Sequence, residues 1–338
     1  MISRRSFLIL TVTSLGSLIS LPGLIKNASP ASVPQKTAVG GRLQENHKRI
    51  NPEDIRSHVE LLAGEYYQGR RAGTSGDAET CLYLAQKLHE YGIGPAGNKN
   101  TYFQTFSIPR TRLVPREKRM VFSVVERSSR LYSDNVLGLI TSAKNPAEYI
   151  ILSAHHDHLG IWEDELYPGA NDNASGTAAV LELARALNAQ REKLPCSIII
   201  AFWGAEEMGL IGSEYFIQNP TIPLENVLFN INLDSIGTGS EQGNFIYWTN
   251  GERKFVLPDQ LVVDSPDLLF SRQDQFKHTS DHRSFAGENI RALSFLAENW
   301  LNHNHTPLDV PGTLNYQSIF GISSFILRWL LDFKEDSV

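Results

Sequence analysis

Residues 148–160 read EYIILSAHHDHLG, and residues 169–176 read GANDNASG. The first stretch is an apolar, β-branched run that stops abruptly on His155-His156-Asp157-His158. The second sets Asp172 among small residues, at the start of a helical segment. A buried strand that delivers imidazole and carboxylate at its end, followed by a carboxylate at a helix start, can build a metal site. The rest of the chain adds nitrogen and oxygen donors to that pair.

Outward from this stretch the pattern is strict alternation: strand 148–154, helix 173–190, strand 197–203, helix 207–218, strand 226–233. Such alternation predicts an α/β fold, a parallel sheet with helices on both faces. Upstream, Asn51-Pro52-Glu53-Asp54 starts a helix with Asn as its N-cap, and Ile55, Val59, Leu61 and Leu62 supply its apolar side. A Gly-rich loop over 67–77 leads to a second helix that carries Leu82, Leu84, Ala85 and Leu88 and ends at Gly92. Arg70 and Arg71 in that loop are expected to pin it to surface carboxylates. Residues 101–108, 119–126 and 135–140 read as strands, the first two separated by a Pro- and Arg-containing turn. Downstream come a strand near 244–248, a helix near 257–264, a late strand over 291–296 and an apolar final helix over 315–334. No internal repeat or low-complexity tract interrupts residues 49–338, which read as one domain.

With 41% hydrophobic and 20% charged residues, the 338-residue chain has enough apolar material for a sizeable core. A net charge of −6 without a dense basic run argues against tracking of nucleic-acid phosphates. Cys81 and Cys196 read as two buried free thiols, too few for a Cys-rich zinc motif. Ser3-Arg4-Arg5-Ser6-Phe7-Leu8, followed by an apolar run to Ile25, resembles a twin-arginine export signal, although Ile9 stands where a basic residue is usual. Ser, Thr, Gly and Pro22 break that run, which favours a signal over residues 1–31 rather than a spanning anchor. A polar lead-in over 32–48 follows. The mature chain is then expected in the periplasm or outside the cell, without a stable membrane span.

Further polar residues follow the other strands. Trp203 is succeeded by Gly204-Ala205-Glu206-Glu207, and the 226–233 strand runs into Asp234. The late strand leads to His303-Asn304-His305-Thr306-Pro307, and Ser280-Asp281-His282 precedes it. Polar residues recurring just past strand ends point to one edge of the sheet, where α/β folds place their sites. Each alone reads as a helix cap or a structural histidine; the joint set does not. Imidazole plus carboxylate without thiolate suits zinc, then manganese, cobalt or iron. Two histidines and three carboxylates exceed the needs of one tetrahedral ion and fit two ions about 3.5–4 Å apart that share a carboxylate.

The chain resembles the secreted di-zinc aminopeptidases of metallopeptidase family twenty-eight, over roughly residues 50–330. The resemblance implies a three-layer α/β sandwich around a mixed, mainly parallel sheet, the zinc-peptidase phosphorylase/hydrolase-like fold. The family's His-x-Asp falls on His155-His156-Asp157, which makes His155 a ligand and Asp157 the carboxylate that orients it. Its Gly-Ala-x-Asp-Asn-x-Ser-Gly falls on 169–176 and makes Asp172 the bridging ligand. Its Glu-Glu falls on Glu206-Glu207, general base then ligand, and its Asn-x-Asp makes Asp234 a ligand. Its His-Thr-x-x-Asp falls on His305 to Asp309, with His305 the last ligand. Ser280 to Phe285 matches a stretch near the site in such enzymes.

Two departures bear on the substrate pocket: Asn304 stands where an aromatic often precedes the last ligand, and Asn289-Ile290-Arg291 replaces Gly-Ile-Pro. His156, His158 and His303 are expected to be polar lining residues. Trp203, Trp300 and Tyr167 are candidate pocket walls, with core packing the leading role for Trp203.

The implied reaction is removal of the N-terminal residue from peptides with a free N-terminus, with two Zn2+ per chain and Glu206 as general base. A carboxypeptidase or dipeptidase on the same donors is the main alternative. A one-zinc glutaminyl cyclase and a non-catalytic relative would each be expected to lack donors that this chain retains. A metallo-β-lactamase-type hydrolase needs a histidine where Ser153 stands.

Overall fold

The computed structural model describes residues 48–239, 243–249, 257–273 and 279–334. The leader expected over 1–31, nearly all of the lead-in and His278 lie outside the described residues.

Helix α1 (Pro52–Leu62) starts where Asn51 accepts the Glu53 N–H, and helix α2 (Ser75–Glu90) follows the Gly-rich loop. In α1 the buried stripe is Ile55, His58, Val59 and Leu62, the i, i+3, i+4, i+7 spacing of one helix face. Leu61 falls off that stripe and is exposed, as Leu82 is in α2, where Cys81 takes the inward position. These two leucines correct the sequence reading.

Next comes a long antiparallel hairpin of β1 (Phe103–Arg116) and β2 (Arg119–Ile140). The sequence suggested three short strands, the first two separated by a Pro- and Arg-containing turn. Pro109 instead sits at a register shift, and β1 pairs only with β2, so a missing N–H costs no ladder bond. The alternating part then follows: β3 (Asn145–His155), α3 (Gly176–Asn188), β4 (Cys196–Trp203), α4 (Ile211–Gln218) and β5 (Val227–Leu233). After it come β6 (Gly243–Thr249), α5 (Asp259–Val263), β7 (Leu268–Gln273), α6 (His282–Gly287), β8 (Ala292–Ala297) and α7 (Tyr316–Asp332). The sequence did not show β7.

The nine-stranded sheet runs Gly94–Pro95, β2, β4, β3, β5, β8, β6, β7, with β1 paired to β2 off that path. β4, β3, β5 and β8 are mutually parallel, while the β2 side and the β8–β6 contact are antiparallel. The sheet is therefore mixed, and its parallel part is the centre. Ile150, Leu152 and Ala154 join the apolar cluster under α1, α2, α3 and α7. Ile151, between them, joins Trp203, Phe216 and Phe285 under α4 and α6. Both faces of β3 are thus covered, which is why its sequence is an unbroken apolar run. Each buried Ile or Leu contributes roughly 1.5–3 kcal/mol relative to exposure. No described helix is long and apolar enough to cross a membrane.

Candidate metal centre

β3 ends on His155, β4 on Trp203 and β5 on Leu233, all at the same edge of the sheet because the strands are parallel. The residues just past these ends therefore converge: Glu206 and Glu207 after β4, Asp234 after β5, and His305 on the segment after β8. Asp172 arrives on the turn before α3. That turn needs Gly169, whose φ is +58° and whose added Cβ would meet the Asp172 carbonyl at 2.3 Å and the His158 ring at 2.5 Å.

The donors form two matched halves. His155 Nε2 lies 3.4 Å from Asp172 Oδ1 and 3.4 Å from Asp234 Oδ1. His305 Nε2 lies 3.1 Å from Asp172 Oδ2 and 3.0 Å from Glu207 Oε2. Each Nδ1 faces a backbone carbonyl, Asp157 O at 3.2 Å from His155 and Met120 O at 2.7 Å from His305. An Nδ1–H donated to those carbonyls leaves the Nε2 lone pair aimed between two carboxylates, the tautomer a metal ligand requires. Asp172 turns one carboxylate oxygen to each imidazole, and imidazole with carboxylate is a donor set that suits zinc.

Other groups hold the donors in place. Asp309 accepts the N–H groups of Asn171 at 2.7 Å and Asp172 at 3.0 Å. Asn304 donates to Asp172 Oδ2 at 2.5 Å. Asp157 lies 3.8 Å from His155 Nδ1, and its two oxygens accept the backbone N–H of Glu206 at 2.9 Å and of Glu207 at 3.3 Å. Arg70 is fully buried and contradicts the surface-carboxylate expectation. Its guanidinium donates to the carbonyls of His156, Leu62, Pro168 and Gly169 at 2.7–2.9 Å, clasping the end of β3 to the turn that carries Asp172. Burial lowers its pKa to about 10, against the pull of Asp309 and Asp157. Arg71 likewise turns to a carbonyl, that of Thr111 at 2.7 Å.

The charges are mutually dependent. Burial opposes protonation of His155, but Glu206, Asp172 and Asp234 prevail and hold its pKa well above the ordinary value. His305 is raised in the same way, burial being overcome by Glu207 and Asp172. Asp172 goes well below the usual carboxylate range and Glu207 to about 2, because the facing imidazoles outweigh burial. Glu206 goes the other way. Burial lifts it well above its ordinary value, with His155 opposing and Asp281 adding to the rise. Burial also brings Asp157 and Asp281 to about 7.

All six of His155, Asp172, Glu206, Glu207, Asp234 and His305 border one cavity of about 310 Å³, joined by Arg119, Trp300 and Asn304. Asp157 lies behind it, fully buried, and Ser280-Asp281-His282 is buried beside it. None of the three extra histidines borders the cavity. His156 turns away to Asp77 at 3.0 Å and Cys81 at 3.3 Å, His158 bonds Glu207 Oε1 at 2.8 Å, and His303 is exposed. Of the aromatic candidates only Trp300 is a wall; Trp203 packs on Phe216 and Phe285, and Tyr167 on Leu113 and Leu159. Both cysteines are buried free thiols. Sequence reasoning missed Arg119 and Met120, because nothing local to a hairpin turn says where its tip lands.

A mixed α/β sheet with carboxylates and imidazoles gathered past its parallel strand ends has the donor chemistry of a hydrolytic metal centre. Residues 135–330 match Peptidase family M28, and the chain belongs to that family. It is 30% identical over 192 residues to aminopeptidase YwaD of Bacillus subtilis, a match covering 52% of this chain and 39% of that protein. It is 37% identical over 150 residues to aminopeptidase NAALADL1 of Rattus norvegicus, covering 43% of this chain and 18% of that one. The matched part thus spans well under half the length of these relatives. Among solved structures, BSAP, a zinc aminopeptidase from Bacillus subtilis, superposes with a TM-score of 0.65 at 17% identity, covering 83% of this chain and 94% of that chain. The glutaminyl cyclase of Porphyromonas gingivalis superposes with 0.62 at 17% identity, covering 84% and 98%. The fold is shared with both.

Proposed function

We propose that this chain is a two-zinc aminopeptidase that removes the N-terminal residue from peptides. The carrying observation is the pair of imidazoles that face Asp172 from opposite sides, each completed by its own second carboxylate. His155, Asp172 and Asp234 would hold one ion, and His305, Asp172 and Glu207 the other. Bound there, zinc supplies Lewis-acid activation of water and of the scissile carbonyl. Glu206 stands beside His155 and Asp234 and borders the same cavity, within reach of a water held there, which suits a general base; burial lifts its pKa well above the ordinary value. It takes a proton from the attacking water and returns it to the leaving amine. Asp157 sets the turn from which Glu206 and Glu207 diverge, through the two N–H groups it holds. Export rests on Arg4-Arg5 and the apolar run behind it, with residues 49–338 acting as one unit.

Elemental analysis of the purified protein, paired with free and N-acetylated peptides, tests the reading. It expects two zinc ions per chain and cleavage of the free peptides alone. Full activity with a single ion, or equal cleavage of acetylated peptides, overturns it. N-terminal sequencing of protein recovered from the culture's periplasm and medium checks the export reading: an intact residue 1 overturns it.

A further inference from the structure

We infer that Arg119 forms a carboxylate-binding subsite in the cavity, so that this centre favours substrates carrying a free carboxylate next to the cleaved bond. The inference rests on the aminopeptidase reading and adds a substrate class to it.

β1 and β2 are joined by a two-residue turn, Glu117-Lys118, with Arg116 opposite Arg119 and Pro115 opposite Met120. The tip folds back onto the centre. Met120 accepts from His305 Nδ1 at 2.7 Å and donates its N–H to the His305 carbonyl at 3.4 Å. That pair of bonds fixes the backbone one residue from Arg119 against a ligand histidine. The Arg119 side chain is half-buried and lines the cavity. Among the described residues its one side-chain hydrogen bond goes to a neutral group, Asn304 Oδ1 at 3.2 Å, whose amide nitrogen donates to Asp172 Oδ2. Asn304 is thus the spacer that keeps the guanidinium beside the bridging carboxylate and off it.

The contrast with Arg70 and Arg185 is instructive. Arg70 spends its donors on four carbonyls, and Arg185 is paired with Glu182 at 2.7 Å. Arg119 has five N–H donors and, among the described residues, one side-chain partner and no carboxylate within ion-pair distance. Among the described residues lining the cavity it is the sole lysine or arginine. Two divalent ions would balance Asp172, Glu206, Glu207 and Asp234, which leaves the guanidinium as the positive charge that meets the substrate. A planar fork with free donors, partly desolvated, matches a carboxylate in two-point geometry. Such a carboxylate has two sources, the C-terminus of a dipeptide or an acidic side chain beside the scissile bond.

The test compares matched substrates on the zinc-loaded full chain. Leu-Ala against Leu-Ala-amide reads the C-terminal source. Leu-Glu-amide against Leu-Gln-amide and Glu-Ala-amide against Gln-Ala-amide read the side-chain source. The wild type should prefer the carboxylate member of at least one pair by about ten- to a hundredfold in kcat/KM. Arg119→Gln should bring that ratio close to one, and Arg119→Lys should keep part of it. A folding defect lowers both members of a pair together, so the ratio isolates the subsite. Calorimetry with glutarate and its monoamide glutaramate reads the same contrast without turnover: glutarate should bind more tightly to the wild type, and equally to Arg119→Gln. Ratios that are the same in wild type and Arg119→Gln for every pair overturn the inference while leaving the aminopeptidase reading intact. A wild type that loads two ions and cleaves none of the six peptides overturns the aminopeptidase reading and this inference with it.

Discussion

His155 and His305 face the same carboxylate from opposite sides, yet they reach it by different routes. His155 is the last residue of a central strand, and its partner Asp234 is the residue after the next strand in the sheet. Its Nδ1 is held by a carbonyl two residues away. Register alone delivers that half. His305 lies on a segment without regular structure, and its partner Glu207 sits in a turn held by Asp157. Its Nδ1 is held by Met120, 185 positions away in sequence. The His155 side chain is 1% exposed and that of His305 13%. One half is part of the sheet; the other is assembled on it. The assembled half is also where Arg119, Asn304 and Trp300 line the cavity, as expected when a rigid scaffold carries the binding loops.

The largest effect should separate the neighbours Glu206 and Glu207. Glu206→Gln keeps every donor of both halves and loses the proton acceptor. It should retain two ions and lose about 10²–10⁴-fold in kcat. Glu207→Gln should instead lose the ion on the His305 side and recover part of its activity in excess zinc. Metal content and kinetics on both variants decide this, and a metal-stripped Glu206→Gln protein would mean the pair is assigned the wrong way round.

A middle-sized effect should come from the hairpin. Replacing Leu113 to Phe122 with an Asn-Gly turn removes the carbonyl that holds His305. Loss of a partner that orients a ligand typically costs about 10–100-fold in metal affinity. Chelator competition should therefore resolve a weakened ion on the His305 side beside an unchanged ion on the His155 side. Equal weakening of both ions would erase the proposed difference between the halves; circular dichroism confirms that the shortened chain remains folded.

The smallest effect contrasts these histidines with a third. His58 lies in α1 between the hydroxyls of Tyr83 and Tyr91, and burial, with Lys87 adding, lowers its pKa to about 4. The unfolded chain then binds a proton between pH 6.5 and about 4 that the folded chain does not. Stability from this group is present above pH 6.5 and is lost as pH falls toward 4, on the order of 3 kcal/mol in all. His58→Gln should lower Tm at pH 7.5 and flatten its decline on acidification. An unchanged slope would show that His58 is not the group responsible.

The sequence by itself determined the strand-borne half of the centre and most of its frame. The apolar run into His155, the acidic residue after each following strand and the alternation of elements are local patterns. Parallel pairing turns those patterns into convergence at one edge, so His155, Asp172, Glu206, Glu207 and Asp234 meet there, and His305, also named from its His-Thr-x-x-Asp motif, joins them from the segment after β8. Leu61 and Leu82 were misread because composition marks an apolar residue while only helix phase says which way it faces. Pro109 and Pro115 were read as breaks because the residue type does not reveal that β1 lies where a missing N–H goes unmissed. Tertiary structure alone decided what meets across long chain separations. Arg70 looked like a surface cation until four carbonyls closed around it. Met120 and Arg119 carry no signal for a role at the centre, because a backbone carbonyl is the same at every residue and a hairpin turn is set by its own few residues. Where the tip of that hairpin lands depends on the length and twist of two strands and on the loop it meets, and these are properties of the assembled fold.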